Sequence, residues 1–362
     1  MITGQPNDMP ISKLTQNNSI DVSEEHVILG AGLIGCYLGA AFIHASQKVT
    51  LIAREKFADQ LNNNYSISDY EGNNLVIDSL PKIVSPEDAN VLSPPADFLW
   101  LTVKCLALES AIKVIKRCVG PNTIIICCQN GVENHKVIQQ AFPDHRVIRA
   151  MVPFNVINDE VGHFHRGSEG DFVIEHIDTI GDEVKWLSRQ LDSAFLPTQI
   201  TYDMTALQWA KLQLNLGNAV NALANVPVKT MLTNRLYRKL LAKLMIELLF
   251  IVNKKKIKLP KIANLPNKWI PFVLVLPDFL FERVAHKMLE IDPKVRTSMW
   301  WDLQQKKLTE IDYLNGLVVS HSKALGGESV FNDYVVKQVK RRERGIDIDS
   351  EQILAEITEL LN

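Results

Sequence analysis

The chain of 362 residues is 46% hydrophobic and 22% charged, long enough to bury more than one core, so two compact units are expected. Its formal net charge of −2 supplies no field for nucleic acid or an anionic membrane, and neither is an expected partner. All five cysteines, Cys36, Cys105, Cys118, Cys127 and Cys128, lie in the first half, mostly inside apolar runs, and read as reduced thiols of a cytoplasmic enzyme.

Residues 1–25 are polar, rich in Asn and Ser, and lack the basic start and apolar stretch of a signal peptide; a flexible tail is expected there. His26–Arg54, HVILGAGLIGCYLGAAFIHASQKVTLIAR, then reads as strand, glycine turn, helix and second strand. The turn Gly30-Ala31-Gly32-Leu33-Ile34-Gly35 has the context that a dinucleotide site requires. Gly30 makes the tight turn, Gly32 lets the backbone approach a pyrophosphate, and Gly35 lets the helix pack on the strand, with the phosphates on the helix N-terminus. Where an NAD site usually carries an acid to hold the ribose 2′-hydroxyl, this chain has Arg54, with Lys56 adding charge and Glu55 opposing it. That pattern points to the 2′-phosphate of NADP(H).

Strand and helix go on alternating. Asp97–Lys104 (DFLWLTVK) reads as a buried parallel strand, Ala107–Cys118 as its helix, and Thr123–Gln129 (TIIICCQ) as the next strand, giving an α/β doubly wound parallel sheet of the Rossmann kind. Lys104 and Asn130-Gly131 stand where these strands stop, at the carboxyl ends where ligands of open α/β sheets bind. His163 and His165 alternate on one strand face but lack a third ligand at suitable spacing, so no metal site is expected.

After residue 203 the periodicity becomes helical. Over Met204–Ala224, Lys211, Asn215 and Asn218 fall at i, i+4 and i+7 and share one face, an ammonium with two amides among apolar neighbours. Asp292-Pro293 would open a later helix carrying Ser298 and Asp302. Thr309-Glu310-Ile311-Asp312 has capping-box spacing, which by itself makes Glu310 a favourable charge at a helix N-terminus. The basic runs Lys254–Lys256 with Lys258, and Arg341–Arg344, read as solvated helix ends. The longest apolar run, Trp269–Phe281, is broken by Pro271, Pro277 and Asp278 and is too short to span a bilayer. The expected division is a tail at 1–25, a dinucleotide-binding domain at 26–203, a helical domain at 204–345 and a helical extension at 346–362.

Taken together, GAGLIG, the second strand ending in Arg54, LTVK ending in Lys104, QNG at Asn130, WAKLQLN around Lys211 and Asn215, TSMWWD around Ser298 and TEIDYLNG around Glu310 resemble the ketopantoate reductase (2-dehydropantoate 2-reductase) family, in its order and spacing. The resemblance spans roughly residues 26–340. It implies a Rossmann domain followed by an all-helical domain with the active site between them, and NADPH-dependent reduction of a small-molecule 2-keto acid, ketopantoate, to pantoate on the route to pantothenate. It further implies that Lys211 is the general acid, that Asn215 and Asn218 bind substrate oxygens and Ser298 the carboxylate, and that Glu310 orients Lys211 or holds the distal hydroxyl. Lys104 and Asn130 would bracket the nicotinamide and the substrate. Where family members often carry a second Asn this chain has Ala219, so Asn218 or Asn221 stands in. A homodimer is compatible with the resemblance, as are two other readings: a reductase of another 2-keto acid, and an NADP-binding sensor without turnover.

Overall fold

The computed structural model describes residues 24–54, 57, 61, 64–89, 92, 94–261, 265–289, 294–346 and 349–361. Of the tail expected at 1–25, residues 1–23 lie outside these residues, as do the Glu55 and Lys56 charges and the Asp292-Pro293 helix opening, while Glu25 already belongs to the first strand.

β1 (Glu25–Leu29), α1 (Leu33–His44) and β2 (Lys48–Ile52) form the first crossover. There follow β3 (Ser66–Asp69), β4 (Asn74–Val76), β5 (Lys82–Val84), β6 (Ala96–Leu101), α2 (Leu108–Cys118), β7 (Val119–Cys127), α3 (Asn134–Ala141) and β8 (Arg146–Met151). The eight-stranded sheet runs β12-β11-β8-β7-β6-β1-β2-β5; β5 to β8 and β1 are mutually parallel, β11 (Phe172–Glu175) is antiparallel to β8, and β12 (Thr198–Thr201) is parallel to β11. Central strands are apolar without alternation because both faces are covered: Ile28, Trp100 and Ile126 lie in one core cluster, Leu29, Leu101 and Cys127 in another. One feature lay outside the sequence reading. A second sheet, β4-β3-β10-β9, built with β9 (Val156–Glu160) and β10 (His163–Arg166), packs on α1. His163 and His165 belong to its strand β10, where Ser68 Oγ of β3 lies 2.8 Å from both His163 Nε2 and His165 Nδ1. No group of three residues able to hold a metal occurs among the described residues.

β1 lies between β2 and β6, so strand order reverses beside it and opens the crevice that such sheets use for ligands. The glycines there are set by contact. Gly30 has φ +116°, and a Cβ on it would stand 2.7 Å from Val103 N; a Cβ on Gly35 would meet the Gly30 carbonyl oxygen at 2.0 Å. A Cβ on Gly32 would meet nothing within 4 Å. The chain is therefore tight at two of the three positions and open at the one that should face a ligand.

α4 (Gly181–Leu191) and β12 complete the first region, and the chain then becomes helical: α5 (Met204–Asn215), α6 (Gly217–Ala224), α7 (Val228–Thr233), α8 (Arg235–Lys254), α9 (Ile270–Leu274), α10 (Asp278–Val284), α11 (His286–Leu289), α12 (Ser298–Gln304), α13 (Asn315–Ala324), α14 (Val330–Glu343) and α15 (Ser350–Leu361). The single helix expected over 204–224 is two, divided at Leu216. Leu216 keeps helical angles (φ −57°, ψ −28°), so the face shared by Lys211, Asn215 and Asn218 survives the break. α8 is the central post, burying Leu240, Leu244, Leu248 and Ile251. The helix bearing Ser298 opens at Ser298 itself, after Thr297. The expected capping box is one-sided: Thr309 Oγ1 accepts from Ile311 N at 3.2 Å, while Asp312 turns away to Lys340 at 2.7 Å.

Because the atom that would oppose a Gly35 Cβ is a backbone oxygen, Gly35→Ala should cost at least about 2 kcal/mol of stability in chemical denaturation, whereas Gly32→Ala should stay within about 0.5 kcal/mol. Equal losses at the two positions would remove the packing account.

Candidate functional site

The two regions meet over the carboxyl ends of β6, β7 and β8, and the expected residues collect there. Lys104 follows β6 and pairs with Asp302 of α12. Asp302 is buried; desolvation raises its carboxyl above the usual range, partly offset by the Lys104 ammonium. Asn130 follows β7. Its side-chain Nδ2 donates to Glu310 Oε2 at 3.3 Å, and the other Glu310 oxygen accepts the Cys105 N–H at 3.0 Å. Glu310, a buried residue of the helical region, thus closes on two groups of the sheet region, and the Asn130 carbonyl is held in turn by Asn134 and Cys105.

Lys211 projects from α5 and donates to the carbonyl of Val152, just past β8, at 2.5 Å. Burial lowers its pKa from the ordinary lysine value to about 8, and the nearby carboxylate of Glu310 resists that fall. The hydrogen bond of Lys211 goes to Val152, and Glu310, expected to orient Lys211 or to hold the distal hydroxyl, acts on it through space. Asn215 and Asn218 lie half-buried on the same face, and their side-chain amides have no hydrogen-bond partner among the described residues. Asn221 is different. It is fully buried, donates to Val226 O at 2.8 Å, and its oxygen accepts from Thr297 N at 3.1 Å and Thr297 Oγ1 at 3.2 Å. Between the two candidates for the missing second amide, Asn221 is committed to the fold and Asn218 is the one left available. Ser298 is exposed at the start of α12.

Four contributors went unread in the sequence. Asp302 was noted only as one turn from Ser298, and its buried carboxylate fixes Lys104 across the cleft. The Val152 carbonyl and the Cys105 N–H are backbone groups, invisible to any residue pattern. Arg149, buried on β8, pairs with Glu175 and reaches Thr205 Oγ1 and Gln208 Oε1 of α5, both at 3.1 Å, tying α5 to the sheet.

The dinucleotide crevice sits one strand away. Gly32 precedes α1 with no side chain capping the helix, so the first-turn N–H groups are available to an anion. Ala31 is buried beneath the turn, while Leu33 is 43% exposed and Ile34 packs on the core. Arg54 is exposed just past β2, and its guanidinium makes no hydrogen bond or ion pair among the described residues. An open glycine, uncapped amides and an unengaged cation fit a phosphorylated dinucleotide.

The model of the family described as ketopantoate reductase PanE/ApbA matches residues 26–179, and the model of that family's C-terminal region matches residues 203–343. A 2-dehydropantoate 2-reductase of Aquifex aeolicus is 27% identical over 251 residues, covering 68% of this chain and 76% of that protein. The ketopantoate reductase of Ralstonia eutropha JMP134 shares the fold with a TM-score of 0.72 at 24% identity, over 89% of this chain and 99% of that one. A D-mandelate dehydrogenase, solved with NADH and anilino(oxo)acetate, does so with a TM-score of 0.73 at 19% identity, over 90% of this chain and 100% of that one.

The contrast among the amides is testable by urea denaturation. Asn221→Ala should cost about 1–3 kcal/mol, because it orphans the Thr297 N–H, whereas Asn215→Ala and Asn218→Ala should each stay within about 0.5 kcal/mol. A large loss at Asn218 would mean that its amide serves the fold.

Proposed function

Since the chain belongs to the ketopantoate reductase family, a family of oxidoreductases, we propose that it reduces 2-dehydropantoate to pantoate with NADPH, with Lys211 as the proton donor. The observation that carries this reading is the Lys211 ammonium, buried at the junction of the two regions, its pKa lowered to about 8, and sharing its face with two unengaged amides, Asn215 on the same helix and Asn218 on the next.

Gly30, Ala31, Gly32, Leu33, Ile34 and Gly35 would hold the pyrophosphate, Arg54 the 2′-phosphate, and Lys104 and Asn130 the nicotinamide end. Bound there, the reduced nicotinamide supplies a hydride to the carbonyl carbon. Lys211 then has the task that remains. Reduction leaves an alkoxide unless a proton arrives, and an ammonium held by a single carbonyl oxygen has two further N–H groups to offer the ketone. Asn215 and Asn218 would orient the substrate's oxygens, and Ser298 its carboxylate. Glu310, already bonded to Asn130 and the Cys105 N–H, holds the two halves of the site in register and biases Lys211 toward its charged form. A second reading, reduction of a different 2-keto acid, draws support from the fold shared with D-mandelate dehydrogenase. NADPH oxidation assayed against a panel of 2-keto acids, ketopantoate among them, separates the two.

Lys211→Met keeps the bulk of the stem and removes the proton, so kcat should fall by about 10²–10⁴-fold while NADPH binding stays within a few-fold. The donor is the protonated form, present below a pKa of about 8; parent activity in the direction of reduction should therefore decline above pH 8, and the residual activity of the variant should lack that limb. Near-native turnover by the variant on the best substrate of the panel would end the general-acid reading.

Arg54→Ala should weaken NADPH binding by about 1.5–3 kcal/mol and leave NADH nearly unchanged, measured by titration calorimetry. Equal losses for both would place the arginine outside the 2′-phosphate site.

A further inference from the structure

The helical region carries a face that the described residues leave largely uncovered. Along α8, Lys239, Lys243, Ile246, Phe250 and Lys254 recur at spacings of three and four and form one stripe, the last four of them exposed. Beside it, α9 buries Ile270, Pro271 and Leu274 and leaves Trp269, Phe272 and Val275 outward, 52%, 61% and 37% exposed. The two sets are continuous, for Val275 shares a groove with Lys239, Lys243 and Ile246. Phe279 on α10 is likewise 71% exposed.

Scattered exposed apolar side chains need no explanation, but a contiguous aromatic patch interleaved with one sign of charge does. Between residues 235 and 284 the chain has eleven Lys and Arg against three acidic residues, although its total is −2. Two of the three acids are occupied: Glu247 accepts the Phe331 and Asn332 N–H groups, both at 2.9 Å, and Asp278 pairs with Arg238. The exposed charge is therefore predominantly basic, mostly lysine. A second copy is a poor occupant, since a twofold axis would bring this basic face against itself. An anionic bilayer supplies both things the face lacks, negative headgroups for the lysines and an interfacial layer for Trp and Phe.

We propose that the α8–α9 face docks the protein peripherally on an anionic lipid surface, with the lysines at the headgroups and Trp269 and Phe272 in the interface. The even net charge, from which no membrane partner is expected, conceals this because it averages a basic helical face with an acidic remainder. Co-sedimentation of the full chain with phosphatidylcholine vesicles, with and without phosphatidylserine, tests it. Binding is expected only with phosphatidylserine, reversed by high salt. Lys239→Glu with Lys243→Glu should weaken binding about tenfold or more, as should Trp269→Ser with Phe272→Ser, with unfolding midpoints unchanged. No binding of the parent protein to the anionic vesicles, or equal binding to neutral ones, overturns the proposal. So does a parent dimer in analytical ultracentrifugation that Phe272→Ser converts to monomer, because the face would then be occupied by a second copy.

Discussion

The arrangement of the site depends on one buried carboxylate. Glu310 enters from the helical region and spends its two oxygens on the Cys105 N–H and the Asn130 amide, groups that follow two neighbouring strands. A carboxylate out of water is costly unless its lone pairs are met, so the contact is favourable only when both strand ends stand at the right separation and the helical region is seated upon them. Register across the cleft follows from that requirement. The Lys104–Asp302 pair and the Lys211–Val152 bond lie on either side of it and reinforce the same seating.

The electrostatic result is a cleft whose charges are graded by burial. Lys104 remains half in water and pairs with Asp302, whereas burial lowers the pKa of Lys211 and the Glu310 carboxylate resists that fall. One fold thus maintains two lysines at the same mouth in different surroundings. The difference comes from depth: Lys104 ends a strand at the rim, and Lys211 projects from a helix packed onto the sheet through Arg149.

Much of this was legible in the residues, and the unread part has physical causes. Contiguous apolar strands, the three glycines and the helical spacing of Lys211, Asn215 and Asn218 are periodic or steric signals, and they led to the right elements. The small sheet was missed because β3, β4, β9 and β10 are short and largely polar, and the pairing of β3 with β10, which joins two local hairpins into one sheet, links segments far apart in sequence. The distinction between Asn218 and Asn221 was unreadable because both are amides on one helix; only the packing of Thr297 against α6 reveals which is consumed. Glu310 was visible as an acid at a helix start, yet its partners are a backbone amide and a side chain some two hundred positions away in sequence, beyond the reach of any spacing rule.

The passage from β12 to α5 is only Tyr202 and Asp203, and it divides the described elements cleanly: all strands precede it, and the helical bundle follows. Tyr202 is 75% exposed there. During synthesis the sheet region has all its strand partners once residue 201 has left the ribosome, and it can close before a helix of the second region exists. The bundle has no such early completion. Ile353 and Ile357 of α15, buried in its core, come from the end of the chain, so α6 and α8 must wait for the last turns to be covered. Birth order therefore gives the dinucleotide crevice a head start over the surface that will close upon it.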